Sequence, residues 1–138
     1  MPKKPFKVAF FELEPWEKEY FLKKLKHCKL QFIDDHLNEI NVNQIKDVNA
    51  IGIFIYSVVD KKVLQSLPNL KLIVTLSTGF DHIDLKECKK RKITVCNVPH
   101  YGENTVAEHT FALILNLTRK IHKAYERTIR GDFSIEGL

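Results

Sequence analysis

Small and polar side chains follow directly on an apolar segment in the stretch STGFDHID, residues 77–84. The apolar segment before it, residues 70–76, is typical of a buried strand, and Gly79 permits a tight turn with φ > 0 behind it. Successive backbone N–H groups in such a turn form a concavity that binds a carboxylate or a phosphate. The aspartates and the histidine of the stretch are metal-ligand types, but they have no partners elsewhere at metal-site spacing. The stretch therefore predicts a strand-ending turn or an anion-binding loop, and no metal site.

Five apolar segments alternate with charged segments and are predicted strands: residues 7–13, 30–35, 50–56, 70–76 and 93–99. Helices are predicted between them, one beginning at Pro15 and others capped by Asp60 and Asp84, while residues 38–47 are ambiguous. Continuous apolar strands joined by helices indicate a parallel sheet covered on both faces. The predicted fold class is therefore α/β, with a flavodoxin-like, doubly wound, five-stranded parallel sheet. In this plan ligands bind beyond the carboxyl ends of the strands.

Polar and aromatic residues fall at the carboxyl ends of three predicted strands, at residues 56–57, 77–79 and 99–101. Pro99 fixes the chain direction after the last strand, and Gly102 permits a turn before the next helix. These three groups are therefore the candidate ligand-binding residues of the domain.

One long helix is predicted from about Thr105 to about Arg130, and Thr105 and Glu108 form a T-x-x-E capping box at its start. Residues 106–117 of this helix are apolar nearly all round. A helix of that kind must be covered on several sides, which one small sheet cannot do. The sequence therefore indicates that another domain follows.

The chain is 44% hydrophobic and 28% charged, which is typical of a globular domain and not of a disordered chain. No apolar segment approaches the about 20 residues that span a bilayer, and no signal-peptide cleavage site is recognisable. Three cysteines without a CxxC pair indicate a reducing setting, so the expected location is cytoplasmic. The densest part of the net charge of +5, residues 86–92, is interpreted as a solvated helix face. No aromatic residues are interleaved there, so neither nucleic acid nor membrane is an expected partner.

Two longer stretches resemble the D-isomer-specific 2-hydroxyacid dehydrogenases, in particular the D-lactate-dehydrogenase-like branch. They are SVVDKKVLQSLPNLKLIVTLSTGFDHIDL, residues 57–85, and ITVCNVPHYGENTVAEHTFALILNLTRKI, residues 93–121. The resemblance implies a flavodoxin-like substrate domain, here residues 1–103. It also implies that residues 104–138 form a long linking helix and the start of a Rossmann domain that binds NAD, with NADP as an open alternative. The implied reaction is the interconversion of 2-keto acids and D-2-hydroxy acids, by a homodimer.

The resemblance also implies roles for individual residues. Four residues carry substrate-binding roles: Thr78 and Gly79 through backbone N–H groups, Tyr101, and Ser57. For Tyr101 a packing role between domains is equally compatible with its position. Ser57 begins a loop that closes over the substrate, where Val58 and Val59 would supply apolar contacts. Two residues at the start of the long helix would border the cofactor: Thr105 and Val106.

No GxGxxG turn is present among the five glycines, and the resemblance places the catalytic arginine, glutamate and histidine beyond Leu138. The sequence is therefore interpreted as the N-terminal part of the enzyme, inactive alone. The alternative is a non-catalytic flavodoxin-like binding or dimerisation domain, a truncated remnant. A signalling receiver domain would require an aspartate where residues 56–57 end the third strand, and a flavodoxin would require a loop rich in Ser, Thr and Gly where ELEPWE follows the first strand.

Overall fold

The computed structural model describes residues 5–137. The helices and strands follow in the order β1 (Phe6–Phe11), α1 (Pro15–Lys24), β2 (Cys28–Ile33), a single 3-10 turn (Val42–Ile45), β3 (Ala50–Ile53), α2 (Lys61–Gln65), β4 (Leu72–Thr75), α3 (Leu85–Lys90), β5 (Thr94–Cys96), α4 (Glu103–Thr118) and α5 (Ile121–Ile129). The residues up to Pro99 form one compact unit, and those from His100 form a second. The predicted division into domains 1–103 and 104–138, whose ends lie outside the described residues, stays a prediction.

The first unit is a parallel sheet with the strand order β2-β1-β3-β4-β5. This is the flavodoxin-like, doubly wound order, so the predicted fold class is confirmed. The strands end earlier than predicted: β3 ends at Ile53 and β5 at Cys96. The last residues of each predicted segment instead form loops beyond the carboxyl ends of the strands, which enlarges the surface available for a ligand.

Apolar side chains cover both faces of the sheet, which explains why the strands are continuous apolar runs. On one face the strand residues pack against Val63 and Leu64 of α2 and Cys88 of α3. On the other face they pack against Phe21 and Leu25 of α1. Each fully buried large aliphatic or aromatic side chain contributes about 1.5–3 kcal/mol of transfer free energy.

Gly52 of β3 lies directly beneath the ring of Phe10. A Cβ atom on Gly52 would lie 2.3 Å from Cδ1 of Phe10, so no side chain fits there. The Phe10 ring stacks on Phe21 with centroids 4.3 Å apart, and on Phe32 at 5.8 Å. The glycine therefore lets Phe10 lie flat on the sheet and hold α1 against it. Two further aromatic residues of α1, Trp16 and Tyr20, are exposed.

The second unit consists of two helices and not of the single long helix that was predicted. Lys120 has φ of 50°, a left-handed conformation that ends α4, and the N–H of His122 then bonds Oδ1 of Asn116 at 3.0 Å. A left-handed residue after the last turn is a common helix end, but it is usually glycine or asparagine. Because a lysine occupies it here, the sequence carried no stop signal.

The predicted capping box at Thr105 and Glu108 is also wrong. Helix α4 begins at Glu103 with Gly102 as its N-cap, so Thr105 is already its third residue. The apolar residues of α4 are exposed, as predicted for a helix that needs a further partner: Val106, Phe111, Leu113, Ile114, Leu115 and Leu117. No helix within residues 5–137 combines the length and the apolar character that crossing a membrane would need.

Candidate functional site

The loop after β4 presents two adjacent backbone N–H groups to solvent. Within residues 5–137 no acceptor receives the N–H of Thr78 or of Gly79, and both residues are exposed. Adjacent N–H donors without partners are what the binding of a small carboxylate requires.

Gly79 is not in the left-handed conformation that the sequence suggested, since the glycines with positive φ are Gly131 and Gly137. A Cβ atom on Gly79 would meet only Oδ2 of Asp81, at 4.0 Å. Neither backbone conformation nor packing therefore requires glycine at this position. The space beside the Cα atom of Gly79 is therefore open, and the absence of a side chain allows a ligand to approach the backbone.

A buried polar network lies beneath this loop and fixes its shape. The hydroxyls of Thr75 and Ser77 are 2.6 Å apart, and the Ser77 hydroxyl donates to the carbonyl of Gly79 at 2.8 Å. Nε2 of His82 lies 3.2 Å from Oγ1 of Thr75. Asp84 accepts the N–H of Glu87 at 2.9 Å and caps α3, as predicted. His82 and Asp84 thus support the loop, and no group of three or more His, Cys, Asp or Glu in the described part of the chain could hold a metal ion.

The loop after β5 is joined to the same loop by contacts that the sequence analysis missed. Oγ1 of Thr78 donates to the carbonyl of Val98 at 2.9 Å, and Nδ2 of Asn97 donates to the carbonyl of Thr78 at 2.8 Å. The N–H of Val98 bonds the carbonyl of Ser77 at 3.0 Å. The available signal was position, because Asn97 and Val98 directly follow the last strand.

The loop after β3 is held by Glu12, which the sequence analysis also missed. Oε1 of Glu12 accepts the N–H of Tyr56 at 2.8 Å, and Oε2 accepts the N–H of Ser57 at 3.0 Å and of Phe54 at 3.2 Å. Glu12 directly follows β1 and has φ of 58°, in the left-handed region that side chains other than glycine disfavour. An acidic residue at the end of the first strand was the only available signal.

Ser57 is fully buried, and both functions of its hydroxyl are used within the protein. The hydroxyl donates to Oε2 of Glu12 and accepts the N–H of Leu37 at 2.9 Å. A substrate contact of Ser57 stays a prediction, and in this structure the hydroxyl is directed into the protein. Val59 is likewise fully buried, so the predicted substrate contact is wrong for Val59, while Val58 is exposed.

Val59 joins the loops after β3 and β4. Its N–H bonds the carbonyl of His82 at 2.8 Å, and its carbonyl accepts the N–H of Asp84 at 2.9 Å. The loops after β3, β4 and β5, residues 54–60, 76–84 and 97–99, are therefore one connected surface, which we call the carboxyl edge. It combines unpaired N–H donors with the exposed side chains of Tyr56 and Val58.

The remaining predicted site residues belong to the second unit. Tyr101 is exposed ahead of α4, and Thr105 and Val106 are exposed in its first turns. His100 and Glu103 pair at the start of this helix, with Nδ1 and Oε1 2.6 Å apart. These residues are accessible to a ligand, and their roles stay predictions.

The basic stretch at residues 86–92 is only partly a solvated face. Lys86, Lys89 and Lys90 are exposed, as predicted. Arg91 instead donates to the carbonyls of Leu64 and Leu67 and so closes the end of α2. No aromatic side chain lies over these lysines to form a stacking surface in residues 5–137.

An apolar groove of 290 Å³ opens beside α1, and its lining includes Leu76 of the carboxyl edge. It is lined by Phe6, Phe10, Phe21, Leu72 and other apolar residues. The groove has no charged or hydrogen-bonding side chain that could orient a carboxylate. We therefore assign the candidate site to the carboxyl edge and not to the groove.

Comparisons with known proteins identify relatives of the chain. Residues 8–134 match the family model for the D-isomer specific 2-hydroxyacid dehydrogenase, catalytic domain. A 2-hydroxyacid dehydrogenase homolog of Haemophilus influenzae is 35% identical over 136 residues, and D-lactate dehydrogenase of Escherichia coli is 32% identical over 137 residues. Each alignment covers 96% of this chain and 41% of the relative, so the chain spans well under half the length of these relatives.

The fold is likewise similar to a solved structure. The crystal structure of D-lactate dehydrogenase from Aquifex aeolicus, complexed with NAD and lactic acid, superposes with a TM-score of 0.85 at 35% identity. The superposition covers 94% of this chain and 39% of that chain.

Proposed function

The chain belongs to the D-isomer-specific 2-hydroxyacid dehydrogenase family, and we propose that it supplies the carboxylate-binding part of the active site of an oxidoreductase that interconverts 2-keto acids and D-2-hydroxy acids. The observation that carries the proposal is the pair of unpaired N–H groups of Thr78 and Gly79 on the carboxyl edge. The presence of lactic acid with the Aquifex aeolicus relative supports a small 2-hydroxy acid as the ligand class.

The chain's own residues would bind and orient the substrate. The N–H groups of Thr78 and Gly79 would receive its carboxylate, and the network of Thr75, Ser77 and His82 would keep these donors in place without reorganisation. Val58 and Tyr56 would form an apolar wall that excludes water from the reacting carbon. The predicted contacts of Tyr101 and Ser57 are part of the proposal and rest on the family resemblance.

The residues of this chain could contact a nicotinamide cofactor only at its edge. No GxGxxG turn is available to hold a pyrophosphate, and the exposed residues Thr105 and Val106 offer a flank and no phosphate cradle. In a longer protein that held the cofactor, the cofactor would supply the hydride. The complex of the Aquifex aeolicus relative with NAD supports NAD as that cofactor, with NADP as the alternative.

The exposed apolar residues of α4 support a homodimer as part of the proposal. Burying such a surface against a second copy would remove it from water. Sedimentation of the protein at rising concentration tests this, and a monomer at every concentration would refute it.

The three free cysteines support a reducing, cytoplasmic location.

The 138-residue chain alone is proposed not to reduce pyruvate with NADH. The test is a chimera in which this chain replaces the matching segment of the Haemophilus influenzae relative, assayed beside the chain alone. We expect NADH oxidation that depends on a 2-keto acid in the chimera and none in the chain alone. A folded chimera that binds NADH but reduces no 2-keto acid would refute the proposed function.

The exposed surface of α4 also favours a second candidate, a non-catalytic domain that binds or dimerises. The same experiment separates the two, because this candidate predicts an inactive chimera and a chain that still associates with itself or with a full-length relative.

A further inference from the structure

The loop after β3 already binds a carboxylate, and that carboxylate belongs to the chain itself. The N–H groups of Phe54, Tyr56 and Ser57 converge on the two oxygens of Glu12 at 3.2, 2.8 and 3.0 Å. Backbone N–H groups that converge in this way form an anion-binding nest. The Ser57 hydroxyl adds a further donor to Oε2 of Glu12.

The neighbouring loop after β4 has backbone N–H donors that are not occupied within the described residues. Strands β3 and β4 pair directly, with Ile53 opposite Thr75, so the two loops leave the sheet side by side. In the first loop the N–H donors are satisfied by Glu12, whereas in the second no acceptor within residues 5–137 receives the N–H of Thr78 or Gly79. The chain thus fills one of two adjacent carboxylate-binding loops.

The backbone conformation of Glu12 indicates that the surrounding structure requires this residue to lie where it does. Its φ of 58° is unfavourable for a residue with a side chain, and such conformations persist where the surrounding structure demands them. Here the requirement is that the carboxylate must extend from the end of β1 to the loop after β3. That loop carries the exposed Tyr56 and Val58 and continues into Val59, which bonds His82.

We propose that Glu12 is a positioning residue of the substrate site: its carboxylate fills the nest of residues 54–57, holds this loop as a wall of the carboxyl edge, and leaves the loop after β4 as the place for the carboxylate of the substrate. This inference rests on the proposed function. It adds a residue that follows a different strand, β1, and whose side chain acts through the loop and does not touch the substrate.

Amide hydrogen exchange in the 138-residue chain tests the nest directly. In Glu12→Ala we expect the amides of Phe54, Tyr56 and Ser57 to exchange about tenfold faster or more, because their acceptor is lost. An excess of sodium formate, with sodium chloride as the ionic-strength control, should restore slow exchange in this variant. Glu19→Ala, which removes an exposed carboxylate on α1, is the matched control and should change nothing. Unchanged exchange in Glu12→Ala, or a folded variant that formate does not restore, would overturn the nest.

Oxamate, an analogue of pyruvate, tests the positioning role without formate present. We expect Glu12→Ala to bind oxamate about tenfold more weakly than the wild-type chain, and Glu19→Ala to bind it equally well. Equal affinity in the wild type and Glu12→Ala would overturn the positioning role. Oxamate that leaves the amides of Thr78 and Gly79 unperturbed in the wild type would instead refute the proposed function. Because exchange at the nest is read without oxamate, the two failures are distinguishable.

If Glu12→Ala does not fold, Glu12→Gln keeps the side-chain length and decides the question. An amide offers one acceptor and one donor in place of two acceptors, so either Tyr56 or Ser57 should lose protection. Full protection of both amides in Glu12→Gln would overturn the proposal.

Discussion

Glu12 and Ser57 follow neighbouring strands of the sheet, and the carboxylate of Glu12 accepts hydrogen bonds from both the backbone N–H and the hydroxyl of Ser57. The same hydroxyl accepts the N–H of Leu37, so it joins the segments that follow β1, β2 and β3. Ser57 is fully buried beneath the carboxyl edge, so this junction is part of the core.

Ser57→Ala should therefore destabilise the first unit. The change removes a donor to Glu12 and leaves the buried N–H of Leu37 without an acceptor, which typically costs about 1–3 kcal/mol of unfolding free energy. Urea denaturation followed by circular dichroism measures it. Ser66→Ala, which removes a hydroxyl bonded to the carbonyl of Lys62 at the surface, should shift the midpoint far less. Equal midpoints for both variants would contradict the role of the junction.

Gly52→Ala should also destabilise the first unit, through a different mechanism. The new Cβ would lie 2.3 Å from Cδ1 of Phe10, so the ring must leave its stack with Phe21. Overpacking of this kind costs about 1–3 kcal/mol. Gly79→Ala is the matched control, because the same atom added there has open space and should leave the unfolding midpoint unchanged. A Gly52→Ala chain as stable as the control would contradict the packing described for Phe10.

The three cysteines should differ in their rate of alkylation. Burial, with a smaller effect from the charge of Asp84, raises the pKa of the Cys88 thiol, which lowers the fraction of reactive thiolate at any given pH. Cys96 is exposed and Cys28 is half-buried, so iodoacetamide should label Cys96 first and Cys88 last. Peptide mass spectrometry over time gives the order, and labelling in urea should abolish it. Equal rates for Cys88 and Cys96 in the folded chain would contradict the burial of α3.

The sequence was sufficient for the sheet and for the starts of α2 and α3, because both depend on local signals. Continuous apolar strands predicted the parallel sheet, and the aspartates before α2 and α3 predicted their caps at Asp60 and Asp84, which the structure confirms. Within residues 77–84, His82 lies beside the hydroxyl of Thr75, and Asp84 caps α3.

The features that the sequence did not predict depend on contacts between distant residues or on an unusual backbone conformation. Glu12 reaches residues more than forty positions away, so its place at the end of the first strand does not identify its partners. The end of α4 is set by a lysine in the left-handed conformation, where glycine or asparagine would have been recognised. Gly79 stays a predicted site residue, but the left-handed conformation that the sequence suggested for it is not the one observed.

Titration of the isotope-labelled chain with oxamate, followed by the backbone amide resonances, tests the central claim most directly. The account predicts that the amides of Thr78 and Gly79 shift as oxamate saturates the loop after β4, while Tyr56, whose N–H is bonded to Glu12, changes little. Gly79→Ala should weaken binding by about tenfold or more without loss of stability, because the added methyl group stands on a residue that supplies one of the two donors and fills open space beside it. Shifts confined to the groove beside α1, or oxamate affinity unaffected by Gly79→Ala, would contradict the assignment of the carboxylate site.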